Sequence, residues 1–186
     1  MEQHPGGGVV DVLGGGDELD AGVDEVAVDV DVIEPVPIQD IQRVNSSGTA
    51  TVLTGPEIRT IFIGMDMARD ELLYSSVKGK NPFKDVRVRR AINMAIDAQA
   101  IQRTVMRGQS RPTGMMWGPG VNGFREDDDK RHPLDAEGAK RLLAEAGYPN
   151  GFGVTMDCPN DRYVNDEAIC TAVVSMLARI GMRVTL

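Results

Sequence analysis

The chain offers few residues whose types and spacing would support catalysis. Its only histidines are His4 and His132, and neither stands in a setting that would complete a Ser/His/Asp or Cys/His arrangement. The glycines at positions 14–16 lack both the lysine and the strand–loop–helix setting that a phosphate-binding loop needs. We therefore predict that the chain is not an enzyme.

The two cysteines, Cys158 and Cys170, are twelve positions apart. Two thiols cannot form a tetrahedral zinc site alone, and neither histidine is near them in sequence. A loop that folds back would bring the sulfur atoms within bonding range, so a disulfide and two free, half-buried thiols both remain open. The acidic run Asp127–Asp129 lacks the spacing of a calcium loop and is expected to be solvated. No metal ion or cofactor is predicted.

Two groups of side chains are suited to binding a ligand. Arg162 carries a planar guanidinium that pairs with both oxygens of a carboxylate, and Asn160 and Tyr163 beside it offer hydrogen bonds to peptide groups. Turn formation explains Asn160 equally well, and Arg162 could instead be a solvated arginine or the partner of a nearby aspartate. Met116 and Trp117 could pack against varied apolar side chains, but we expect them first to cover the helices beneath them.

The charge distribution argues against nucleic acid as a partner. The formal net charge is −8, but residues 1–34 contain ten acidic side chains and no Lys or Arg. Residues 35–186 contain eighteen acidic and twenty basic side chains, so this part is nearly neutral and has no broad basic face. Arg87, Arg89 and Arg90 lie on one predicted helix, and we interpret them as a solvated face.

Hydropathy and terminal composition limit the possible settings. No run of eighteen or more apolar residues is present, so no membrane span is predicted. The first residues lack the basic and apolar regions of a secretory signal. Residues 1–29 are rich in glycine and aspartate, and we expect them to form a disordered leader.

Capping residues and apolar spacing predict the elements that must position these side chains. A short helical turn is predicted over residues 38–44, and helices are predicted after Asp85, over residues 98–106, after Asp135, and from Asn165 or Asp166 to Ile180. Predicted strands cover residues 26–33, 49–53, 58–65, 152–156 and 183–186, and the third of these is expected to be buried. Residues 109–134 are expected to be irregular. The strand–helix–strand order over residues 152–186 predicts a parallel strand pair.

Several of these segments resemble, in the same order, motifs of the family 5 extracellular solute-binding proteins. Residues 81–92, NPFKDVRVRRAI, look like the family motif NP-F-x-D-VRVRQA-(I/L), and residues 95–101, AIDAQAI, are similar to A-(I/V)-D-x-x-x-I. Residues 135–148, DAEGAKRLLAEAGY, resemble D-P-E-x-A-K-x-LLAEAGY. The resemblance extends over residues 30–186 and fails before residue 30.

The resemblance implies an α/β fold, namely an incomplete periplasmic-binding-protein-like lobe of class II with a partly parallel sheet flanked by helices. Residues 30–80 would be a remnant of the first lobe and the crossover between lobes, and residues 81–186 a partial second lobe. Family members begin with a signal peptide, have several hundred residues before this point and continue beyond it. We therefore expect the chain to be a truncated piece of such a protein.

The resemblance also implies a function, which is capture of an oligopeptide or similar small solute by closure of a cleft. The parent protein would be periplasmic and would deliver the solute to the permease of an ABC importer. The chain itself shows no signal peptide, so its export stays open. The alternative is a non-functional remnant or a small interaction module that binds no ligand.

In dipeptide-binding members an arginine in the loop that contains Arg162 approaches the ligand. Burying a peptide carboxylate is unfavourable unless a cation and hydrogen-bond donors receive it, which suits Arg162. A secreted setting allows a disulfide between Cys158 and Cys170, which we favour for the exported parent. That bond would stabilise the fold by about 3 kcal/mol and would hold the Arg162 loop rigid.

Overall fold

In this computed structural model residues 10–14, 31–55 and 57–186 are described, the first range by its backbone only. They divide into two compact units. One unit contains the described residues up to Ile58 together with Met106–Arg111, and the other contains Arg59–Val105 and Pro112–Leu186. The assignment of residues 30–80 and 81–186 to two lobes stays a prediction.

The first unit contains a small antiparallel sheet with strand order β2-β1-β3. Its central strand lies within residues 1–29, for which the composition predicts disorder. The rest of residues 1–29 falls outside the described residues. So does part of the strand predicted over residues 26–33. The side chains of Val36 and Val52 are buried against helix α1. The elements are β1 Val10–Gly14, β2 Val32–Ile33, α1 Ile41–Ser46 and β3 Ala50–Thr54.

The larger unit is built around two helices that pack against each other, α2 Val86–Ala95 and α4 Ala136–Glu145. Their facing residues recur at spacings of three and four, as an amphipathic helix requires. Phe152 fills the space beside them, with its ring 6.1 Å from that of Phe83 and 5.1 Å from that of Tyr148. The most buried side chains of this core are Val88, Ala91, Ile92, Ala139, Leu143, Phe152, Leu177, Ile180 and Met182.

The carboxyl-terminal segment forms the predicted strand–helix–strand unit. Strands β4 Gly153–Thr155 and β5 Arg183–Thr185 pair in parallel, with Val154 opposite Val184. Helix α5 Asp166–Ala178 connects them and buries Val173 and Leu177 in the core. The α/β fold class and the parallel pair are confirmed.

The predicted helix starts at Asp85 and Asp135 are confirmed by their caps. The Asp85 carboxylate accepts from the Arg87 backbone N–H at 2.8 Å, and that of Asp135 accepts from Gly138 N–H at 2.7 Å. Each bond pairs a donor that the first helical turn leaves free. In place of the single helix predicted over residues 98–106, α3 Ala98–Ala100 continues directly into a π-helical turn, Ile101–Val105. Short 3-10 turns occur at Pro82–Lys84 and Glu126–Asp128.

The prediction of a buried strand over residues 58–65 is wrong. No part of residues 57–67 pairs as a strand with another described segment. The side chains of Ile58 and Phe62 are 79% and 63% exposed, and only Ile63 and Met65 contact the core. β-branched residues favour an extended backbone, but a strand also needs a neighbour to pair with its N–H and C=O groups. Local composition cannot show whether that neighbour exists.

Candidate functional site

The candidate site is the loop between β4 and α5, residues 156–165, which we call the β4–α5 loop. Cys158 in this loop is joined by a disulfide to Cys170 in the second turn of α5, with 6.4 Å between their Cα atoms. The link closes a chain separation of 12 residues. It therefore restrains the start of the loop against the helix that follows.

The Asp166 carboxylate organises the end of the same loop. Its Oδ2 accepts the backbone N–H groups of Arg162 at 2.9 Å and Tyr163 at 3.3 Å, and its Oδ1 accepts the N–H of Glu167 at 2.9 Å. The residue is only 3% exposed. A single side chain thus pairs two loop donors and one donor of the first turn of α5.

The electrostatic setting of Asp166 favours its ionised form. Burial acts to raise the pKa of its carboxyl, but the hydrogen bonds from the N–H groups of Arg162, Glu167 and Tyr163 outweigh burial. The pKa therefore lies below its ordinary value of 3.8. Asp166 is ionised at neutral pH.

Asn165 fixes the junction between the loop and α5. Its backbone is in the left-handed region with φ 57°, and its side chain makes no capping bond. Instead its Nδ2 donates to the carbonyl oxygen of Val105 at 2.8 Å, at the end of the π-helical turn. Of the two residues predicted to cap α5, Asn165 occupies the cap position, while Asp166 supplies the carboxylate that pairs with a helix N–H. The sequence signal for this arrangement is only the Asn-Asp pair at the helix start.

A concavity of about 670 Å³, widely open to solvent, lies along the outer face of α5 beside this loop. Two of the predicted ligand-binding residues, Asn160 and Tyr163, are part of its wall. Arg162, between them in sequence, is exposed and is not part of the wall. The residues that sequence reasoning did not assign to the site are Asn165, Asp166, Glu167, Ala168, Thr171, Ala172 and Ser175.

The Arg162 guanidinium makes no ion pair or side-chain hydrogen bond within residues 31–55 and 57–186. The interpretation of Arg162 as an ion-pair partner of Asp161 or Asp166 is therefore wrong for its side chain, since only its backbone N–H contacts Asp166. Arg162 is left as an exposed cation on a restrained backbone.

Met116 and Trp117 do not line this concavity. Their side chains are 52% and 44% exposed in the irregular segment 109–134. Asp129 holds that segment together, since its Oδ1 accepts the Thr113 hydroxyl at 2.7 Å and the Gly114 N–H at 2.6 Å. The expectation that the acidic run is simply solvated is thus wrong for Asp129, whose carboxylate closes the loop.

Two of the three arginines of α2 make contacts within the fold, whereas Arg90 is exposed. Arg87 pairs with Asp85 at 2.6 Å and also donates to the carbonyl oxygen of Glu145 at 2.8 Å. Arg89 donates to the carbonyl oxygen of Phe83 at 2.6 Å. Their interpretation as a merely solvated face is wrong for these two residues, because each one ties α2 to a neighbouring segment.

Two features of the described residues concern metal ligands and membrane-spanning helices. There, no three His, Cys, Asp or Glu side chains are grouped so as to hold a metal ion. None of the described helices combines the length and apolar content needed to cross a bilayer.

Known proteins resemble this chain over most of its length. Residues 26–186 match the family described as bacterial extracellular solute-binding proteins, family 5 Middle. The glutathione-binding protein GsiB of Shigella flexneri serotype 5b is 24% identical over 149 residues, which are 80% of this chain and 27% of that protein. The chain therefore spans about a quarter of the length of this relative.

Solved structures of binding proteins also resemble this chain over most of its length. A binding protein, AgaA, from A. tumefacien R10 in complex with agropinic acid has a TM-score of 0.57 and 28% identity, over 81% of this chain and 28% of that one. A dipeptide-binding protein from Pseudoalteromonas sp. SM9913 in complex with Met-Leu has a TM-score of 0.53 and 26% identity, over 69% and 24%. With the family match covering residues 26–186, this chain belongs to the family 5 bacterial extracellular solute-binding proteins.

Proposed function

We propose that the chain supplies part of the ligand-binding surface of a protein that captures a peptide or a similar small solute for an ABC importer. The observation that carries this proposal is the exposed Arg162 guanidinium, which has no ion pair among the described residues, on a loop whose backbone is restrained at three points. Those restraints are the disulfide, the Asp166 carboxylate and the Asn165 side chain.

The chemistry of this loop suits a carboxylate ligand. The guanidinium of Arg162 can donate to both oxygens of a carboxylate, which gives orientation as well as attraction. Because the loop is restrained before binding, less conformational entropy is lost when the ligand is captured. Asn160 and Tyr163 lie within two residues of Arg162. In this proposal their side chains donate hydrogen bonds to the peptide groups of the ligand, next to its carboxylate.

The ligands named for the relatives fit the same chemistry. The solved relatives bind a dipeptide, which ends in a carboxylate, and agropinic acid, which is named as an acid. A disulfide between Cys158 and Cys170 supports an oxidising, extracytoplasmic setting for the complete protein. Delivery to a membrane permease belongs to this proposal as the step that follows capture.

Binding of the dipeptide Met-Leu and of its carboxyl-terminal amide tests the proposal. We expect the 186-residue chain to bind Met-Leu with a Kd of about 1 mM, because a dipeptide that pairs with the exposed Arg162 side chain stays mostly in water. Chemical-shift changes in the β4–α5 loop would report binding. The amide should bind about tenfold more weakly, since it lacks the charge that Arg162 receives.

A matched pair of arginine variants separates a site from a general charge effect. Arg162→Gln should remove the preference for the acid over the amide. Arg179→Gln removes the same charge at the other end of α5, about 20 Å away over 13 helical residues, and should leave the preference intact. No response at ten-millimolar Met-Leu would instead favour a chain that binds no ligand, and equal effects of the two variants would refute a role for Arg162. A submicromolar Kd would contradict the expected weak binding.

A further inference from the structure

The β4–α5 loop contains an acceptor whose role goes beyond capping a helix. We infer that Asp166 is a positioning residue, whose carboxylate fixes the backbone of Arg162 and Tyr163 so that the Arg162 guanidinium is presented to a ligand carboxylate. This inference rests on the proposed function of Arg162. It assigns Asp166 no contact with the ligand charge itself.

The Asp166 carboxylate sets the backbone geometry at Arg162 and Tyr163. The N–H groups of Arg162 and Tyr163 are consecutive, and both point at Asp166 Oδ2, at 2.9 and 3.3 Å. Two consecutive N–H groups that converge on one anionic oxygen define the local backbone conformation, as they do in backbone anion sites. The direction of the Arg162 Cα–Cβ bond is thereby set by a side chain four residues later.

The task of Asp166 requires a carboxylate. An ionised carboxylate only accepts hydrogen bonds, and Asp166 uses both oxygens, one for the loop and one for the N–H of Glu167. An asparagine at this position would turn an NH₂ group toward one of those donors. Because Asp166 is buried, water cannot readily replace the lost bond. Although the amide is isosteric with the carboxylate, it therefore cannot accept hydrogen bonds from both the loop and the helix N–H groups.

The restraints on the loop act at different points along it. The disulfide restrains Cys158, before Arg162, and the bond from Asn165 to Val105 restrains the junction after it. Between those two points, the described hydrogen bonds of the Arg162 and Tyr163 N–H groups are those to Asp166. Removal of the carboxylate thus removes the described hydrogen bonds of these two N–H groups while both ends of the loop stay attached.

The experiment compares the wild-type chain with Asp166→Asn and Asp157→Asn. Asp157 is an exposed aspartate at the start of the same loop and is not part of the wall of the concavity, so its variant controls for the lost charge. Binding of Met-Leu and Met-Leu amide is measured by NMR, together with amide hydrogen exchange at Arg162 and Tyr163. A disulfide-intact chain with a cooperative thermal transition establishes that each variant is folded.

We expect wild type and Asp157→Asn to prefer the acid about tenfold, and Asp166→Asn to prefer it less than about threefold. Exchange at Arg162 and Tyr163 should be faster in Asp166→Asn alone. A merely structural role would weaken acid and amide alike and leave their ratio unchanged, which would overturn the inference. If Asp166→Asn does not fold, Asp166→Ser takes its place, because its hydroxyl retains one acceptor. Asp166→Ser should give an intermediate ratio of acid to amide binding. A wild-type ratio in Asp166→Ser would also overturn the inference.

The two proposals fail in different ways. If the wild type does not prefer the acid over the amide, and Arg162→Gln gives the same ratio, the proposed function and the inference both fail. A wild-type preference that is lost in Arg162→Gln but retained in Asp166→Asn removes the inference alone. The arginine variant thus decides the function, and the aspartate variant decides the positioning role.

Discussion

Removal of the disulfide should destabilise the chain by an amount that follows from the length of the loop it closes. Cys158 and Cys170 are separated by 12 residues, and the chain-entropy relation for a loop of this length gives about 3 kcal/mol at 25 °C. The double variant Cys158→Ala/Cys170→Ala retains both Cβ atoms and adds no polar group around the half-buried Cys158 or the buried Cys170. Its loss of stability should therefore report loop closure.

The assay is equilibrium unfolding in urea of three forms, namely the oxidised chain, the same chain kept reduced, and the double alanine variant. We expect the oxidised form to be about 3 kcal/mol more stable than the variant, which moves the urea midpoint by roughly 1 to 3 M. The reduced chain should lie within about 1 kcal/mol of the variant, since both lack the covalent restraint.

Two results would refute this reasoning. A difference below about 1 kcal/mol between the oxidised chain and the variant would mean that the β4–α5 loop is already restrained in the unfolded chain or strained in the native one. A reduced chain as stable as the oxidised chain would mean that the covalent bond contributes nothing to stability. Equal cysteine alkylation with and without reductant would show that the bond does not form.

Three further predictions concern the core, the turns and pH. Leu143→Ala should cost about 2 to 5 kcal/mol in urea unfolding, because Leu143 is buried between α2 and α4. Gly151→Ala should destabilise the chain more than Gly147→Ala. Both glycines have positive φ, but only at position 151 would a Cβ meet the backbone of Gly181. Equal urea midpoints of the two variants would contradict this expectation. Because the folded pKa of Asp166 lies below 3.8, its contribution to stability is present above about pH 4 and is lost as the pH falls further. Urea midpoints from pH 7 to pH 3 should therefore fall less for Asp166→Asn than for wild type.

Features set by neighbours within four residues were predictable from the sequence. Asp85 and Asp135 cap their helices because an aspartate accepts from an N–H two or three residues later, wherever the helix then packs. The spacing of Val88 and Ile92 predicts the buried face of α2 for the same local reason. The order of the segments over residues 152–186 was enough to predict a parallel pair.

The candidate site was predictable in part. The polar run that contains Arg162 pointed to the β4–α5 loop, and Asn160 and Tyr163 do border a concavity. The contribution of Trp117 and Met116 to binding stays a prediction, since they lie in a different irregular segment. The roles of the residues along the outer face of α5 had no local signal, because a small or polar residue on a helix surface is ordinary.

The sequence by itself determined the family, the helix starts and the strand–helix–strand order, since each depends on residue types at short spacing. The tertiary structure alone decided that residues 58–65 form no strand with another described segment and that a π-helical turn follows Ala100. It also decided that the Asp166 carboxylate accepts the backbone N–H groups of Arg162 and Tyr163. These outcomes depend on which donors and acceptors the fold brings together, and that pairing is fixed only when the chain is compact. Short-range capping and apolar periodicity carry no such information.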